Sequence, residues 1–141
     1  LGEWTLLIDD GEPGAYFIKE SLNEFMTLLF IRHYYGAETY ERQLDWCRSE
    51  YGKIKGTPQD EPIVDVVVNN NNTVVYRKGP LVLDRLAKEI GYDELAGIIA
   101  GFYREYAGKY PLKYTDFIDM VNASHAGAGD TLRQLLTAKS L

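Results

Sequence analysis

The chain has almost no cysteine: Cys47 stands alone among 141 residues, so no internal disulfide can form. It has no apolar run near the roughly 18 residues a membrane-spanning helix needs, and no signal-peptide pattern. Basic residues are the minority, 15 Lys and Arg against 21 Asp and Glu. The net charge of -6 argues against nucleic-acid binding, whose usual footprint is a basic patch. HExxH, CxxC and Gly-x-Ser-x-Gly are all missing. Neither a complete metal site nor a nucleophile elbow can therefore be assembled from a local motif. There is no internal repeat. A lone cysteine is compatible with the cytosol and tolerated outside it, so the compartment stays unassigned.

What is present is helix punctuation. Pro13 and Gly14 precede an apolar stretch over residues 15–35, and Gly36 follows it. Proline near a helix start and glycine just past its end is the expected asymmetry. A second helix fits residues 37–51, with Tyr40, Leu44, Cys47 and Tyr51 at three-to-four spacing, stopped by Gly52. Residues 52–79 break the pattern. Their "IVDVVV" and "TVVY" runs, on either side of four asparagines, allow either a short hairpin or an irregular loop. Pro80 is expected to open a third helix ended by Gly91, and Asp93 to cap a fourth ended by Gly108. Thr115 is expected to cap a fifth, and a last helix should begin at Gly129 or Asp130. The prediction is one all-α domain over residues 1–141: about six helices in a bundle or orthogonal array with one long loop. Eleven tyrosines fit the seams of such a bundle, apolar ring inward and hydroxyl outward.

Two places carry candidate chemistry. Glu24 sits at the edge of a helix that is apolar on nearly every face from Phe25 to Tyr35. A carboxylate there needs a cation, a metal or good donors; Arg32 and Arg77 are the candidate cations. His33 lies nine positions on, about 900° around the helix at about 100° per residue. The two therefore face opposite ways and cannot share a metal. His125 lies in a glycine-rich turn with no evident partner. The second place is "VVYRKGP". Tyr76 stands just before a helix start, where a hydroxyl can be aimed at a developing oxyanion, while Lys78 and Gly79 read as completing the turn.

In order and spacing, these segments resemble the gluzincin zinc aminopeptidases, the family of aminopeptidase N and leukotriene hydrolase. Its members carry a helix reading roughly W-L-N-E-G-F-A and, later, a Y-x-K-G segment leading into a helix. Here "LNEFMT" over 22–27 is similar to the first and "YRKG" over 76–79 to the second; "YTDFIDMVNASHAGAGDTLRQLL" looks like the family's closing helices. The resemblance implies the helical, C-terminal part of a catalytic domain. By analogy Glu24 is the glutamate ligand of one zinc ion, whose two histidines and general base belong to HExxH. Tyr76 would stabilise the tetrahedral oxyanion of a peptide substrate.

The chain also departs from the family. Projecting the family's spacing back from Glu24 puts the motif histidines at Leu1 and Thr5 and the base at Gly2. Phe25 stands where the family has glycine, and the segment that binds a substrate's amine is absent. Leu1 is not an initiator methionine, so the chain is expected to be cut from a longer metallopeptidase and to be inactive alone, since one carboxylate is not a zinc site. The missing N-terminal half is its expected partner. The apolar face that half would cover is expected to drive self-association. The competing expectation is a helical binding or scaffold module that keeps the fold without the metal.

Overall fold

The computed structural model describes residues 6–67 and 70–141. The stretch Leu1–Thr5, onto which the family spacing projects HExxH, lies outside the described residues, as do Val68 and Asn69. The protein is all-α: among the described residues there are six α-helices and no strand. They are α1 (Leu22–Tyr35), α2 (Ala37–Gly52), α3 (Gly79–Ile90), α4 (Tyr92–Tyr106), α5 (Tyr114–Ser124) and α6 (Ala128–Thr137). Two single turns of π-helix, Phe17–Ser21 and Val74–Lys78, run directly into α1 and α3.

The bundle is organised around α3, which touches α1, α2, α4 and α6. Its buried residues Val82, Leu83, Leu86 and Ala87 explain the position: this apolar stripe is wide enough to need neighbours on several sides. α1 and α2 form an antiparallel hairpin about Gly36, and α5 pairs with α6. Phe17 of the first π-turn, Phe102 of α4 and Phe117 of α5 meet in one aromatic cluster, with ring centroids 5.2 Å apart for Phe102–Phe117 and 6.1 Å for Phe17–Phe117. The tyrosines take the seams. Tyr40 and Tyr51 are buried, and Tyr16, Tyr76, Tyr92, Tyr103, Tyr106 and Tyr114 pack against the core.

The long connection between α2 and α3 is an irregular wrap; the hairpin alternative does not form among the described residues. Part of it enters the bundle core: Ile63, Val64 and Val66 are buried around a 3₁₀ turn, Ile63–Asp65, while Val67 is exposed. The backbone of Gly14 donates to the Val64 carbonyl at 2.9 Å and pins this turn to the start of the first helical run. Asn71 closes the wrap, donating to the Gln59 carbonyl at 2.8 Å while its side-chain oxygen accepts the Val74 N–H at 3.4 Å.

Besides α6, which begins at Ala128 instead of Gly129 or Asp130, three helix starts differ from the sequence expectation. The third helical run begins at Asn72, well ahead of Pro80, which lies inside it. Proline clashes with the carbonyl four residues back in α-helix, and the wider π-turn just before it relieves that contact. The fourth helix is entered from Gly91 at φ 104°, so Asp93 sits in its first turn instead of at the cap. The fifth begins at Tyr114, one residue before Thr115. There the Asp116 carboxylate accepts the Lys113 N–H at 2.8 Å.

Candidate functional site

The two π-turns bring the candidate segments together. In the second turn the Gly79 N–H reaches the Val74 carbonyl, five residues back. In the same register the partner of the Val75 carbonyl would be Pro80, which has no N–H. A buried carbonyl left without a donor is costly. Ser21, the last residue of the first π-turn, supplies one: its hydroxyl donates to Val75 O at 2.6 Å. Gly79 makes the approach possible, since a Cβ there would lie 2.2 Å from Ser21 Oγ and 2.7 Å from Ser21 Cβ. The α1 and α3 runs therefore cross at Ser21 and Gly79, three residues from Glu24 and from Tyr76 respectively.

Every residue of "YRKG" has a separate task. Tyr76 is half-buried against the core. Arg77 approaches Glu24, with Nη1 3.8 Å from Oε1, and both side chains are about one-third exposed. The same guanidinium lies 5.7 Å over the Trp46 ring. Burial pushes the Cys47 thiol up in pKa, and the Arg77 charge partly offsets this. Lys78 is fully buried, 2.9 Å from Asp60 Oδ1. Gly79 supplies the close crossing. The expectation that Lys78 and Gly79 only complete a turn is thus corrected: one is a buried ion-pair partner, the other a packing requirement.

Glu24 is satisfied by one of the cations offered for it in sequence, Arg77, 3.8 Å away. His33 is exposed and stacks edge-on against Tyr34 with centroids 4.7 Å apart. Nδ1 of His125 is buried without a hydrogen-bond partner. Among the described residues no three His, Cys, Asp or Glu side chains gather closely enough to hold a metal ion.

Sequence reasoning passed over Glu20. It lies in the first π-turn, half-buried, one helical turn before Glu24. Its charge is felt by Tyr103 of α4, whose hydroxyl is buried without a hydrogen-bond partner; burial first, and then Glu20, push that group up to about 12. The available signal was the repeat of carboxylates four apart in "KESLNE", which places both along one side of a helix. Comparison with protein-family models, with curated proteins and with solved structures gives no match, so the gluzincin resemblance rests on this chain's own residues.

Proposed function

We propose that this chain is the helical part of a zinc-dependent peptidase catalytic domain, of aminopeptidase type. The reading is supported above all by the Ser21–Val75 bond, which holds the segments of Glu24 and Tyr76 side by side across 54 positions of sequence. In this reading Glu24 contributes one oxygen donor to the metal, and the remaining donors come from the partner half of the domain. A bound zinc supplies Lewis-acid polarisation of the scissile carbonyl and a water of lowered pKa. The chain's own residues do the rest. Tyr76 donates its hydroxyl to the oxygen that gains charge in the tetrahedral transition state, the kind of preorganised donor that stabilises an oxyanion. Arg77 neutralises and orients Glu24. The two π-turns, which touch, join the segments that carry these residues. Alone, the chain is inactive.

The second reading is a scaffold or binding module with the same fold and no metal. It is favoured by Glu24's ion pair with Arg77 and by the lack of a three-donor cluster among the described residues.

Zinc content separates the two. The protein to assay carries both this chain and an HExxH segment ahead of it, as wild type and as Glu24→Gln and Glu20→Gln variants. About one zinc per chain, lost in Glu24→Gln alone, supports the peptidase reading as stated. Loss in Glu20→Gln alone moves the ligand one turn back along the helix. No zinc in any form sinks the peptidase reading and leaves the scaffold. With zinc in place, Tyr76→Phe is expected to lower peptide hydrolysis by about 10²–10³ in kcat.

A further inference from the structure

Lys78, two residues beyond Tyr76, belongs to a buried ion pair that no step of the proposed reaction uses. Lys78 and Asp60 are both fully buried, with Nζ 2.9 Å from Oδ1. The ammonium also donates to the Glu61 carbonyl at 2.9 Å and to the Lys139 carbonyl. All three of its protons thus have acceptors, the full capacity of a lysine. Asp60 is equally satisfied. It accepts the Ser140 hydroxyl, the Tyr51 hydroxyl at 3.0–3.1 Å and the Gly56 N–H at 3.1 Å. The Leu141 N–H then donates to the Tyr51 oxygen at 3.1 Å. Three consecutive residues beyond α6, Lys139 to Leu141, therefore close on one buried polar cluster.

Stability alone is a weak reason for this arrangement, because apolar residues of similar volume commonly serve as well as a buried ion pair. What the arrangement does supply is direction. An ammonium held by three acceptors, two on the adjacent residues Asp60 and Glu61 and one on Lys139 beyond α6, has one pose. Lys78 is the last residue of the π-turn that carries Tyr76, and Ser21 holds the same turn from the other side through Val75. We propose that Lys78 is a positioning residue for Tyr76, and that Lys139–Leu141 is a strap that completes its clamp. Seated, the strap keeps the π-turn in register and Tyr76 in one pose. Released, it takes an acceptor from Lys78 and a donor from Asp60, and the turn loosens while the bundle stays folded. The value of that pose to catalysis rests on the peptidase reading; the clamp itself does not.

The test uses the 141-residue chain without metal or substrate, so it succeeds or fails independently of peptidase activity. Ser140→Ala removes one donor to Asp60 at a residue that is itself exposed. Native-state hydrogen exchange is expected to show amides of Val75–Gly79 losing protection by about tenfold or more, as for a lost bond to a charged group, while α4 amides stay unchanged. In parallel, the fluorine resonance of 3-fluorotyrosine at position 76, assigned with Tyr76→Phe, is expected to shift. The paired variant Lys78→Met with Asp60→Asn, which leaves no unmatched charge, is expected to fold and to displace the same resonance. Equal loss of protection in α4 and the π-turn, or an unmoved resonance in folded variants, overturns the proposal.

Discussion

Ser21 and Gly79 touch so closely that neither position tolerates independent change: the serine hydroxyl caps the Val75 carbonyl at 2.6 Å, and the missing glycine side chain is the space it occupies. This contact joins the two helical runs that carry Glu24 and Tyr76. It also completes the second π-turn: in that register the Val75 carbonyl falls to Pro80, which has no N–H, and Ser21 supplies the donor instead.

Gly79→Ala is therefore expected to destabilise the fold by about 1–3 kcal/mol through overpacking. Ser21→Gly removes both clashing atoms but leaves a buried carbonyl unmatched, at about 1–3 kcal/mol. Because they share one contact, the double variant should be more stable than the sum of the singles by at least about 1 kcal/mol. Urea denaturation of the four proteins measures this, and strict additivity would contradict the crossing.

The Asp60 cluster makes a pH prediction. Burial alone would push this carboxyl up. Ser140, Lys78, the Gly56 N–H and Tyr51 outweigh burial and hold it at about 2, against an ordinary 3.8. A carboxyl depressed in the folded state binds its proton more readily when unfolded. Its stabilisation is complete above the ordinary value and is lost as pH falls through the folded value. Thermal melts from pH 5 to pH 2 should show wild-type stability falling more steeply than that of Asp60→Asn. Parallel curves would mean that Asp60 is not held down.

The Glu24–Arg77 pair should contribute little to stability. Both side chains are about one-third exposed and 3.8 Å apart, so solvent screens them, and Glu24→Gln is expected to cost no more than about 1 kcal/mol. It should nevertheless alter Trp46 emission, because the guanidinium shared between Glu24 and the Trp46 ring is freed to move. Trp46→Phe isolates that signal from Trp4. A stability loss well above that figure would make Glu24 a structural anchor instead of a surface-facing ligand candidate.

Self-association is the fourth expectation. Phe30 and Tyr34, stacked at 4.5 Å on α1, are 56% and 66% exposed, and Tyr35 beside them is 68% exposed. Exposed aromatic patches on a helix hairpin favour partners. Light scattering should report a mass that rises with concentration and returns to monomer in Phe30→Ser with Tyr34→Ser. A clean monomer across a wide range argues against the patch as a contact.

The sequence by itself determined the helices and their order. Gly36 and Gly91 stop helices because chain entropy and φ preference act locally, and the stripe of Val82, Leu83 and Leu86 is legible at helical spacing. It also marked Glu24 and Tyr76 as residues to watch. Only the tertiary structure decided what those residues meet. The π-turns leave no periodic trace, since they answer contacts more than fifty positions away, Ser21 on Val75 among them. The burial of Lys78 was illegible for the same reason. A lysine in a turn is ordinarily solvated, and here it is desolvated only because Asp60 and Glu61 from one distant segment and Lys139 from another converge on one ammonium. Local pattern reports what a segment prefers, whereas a buried charge survives only where the whole fold assembles its partners.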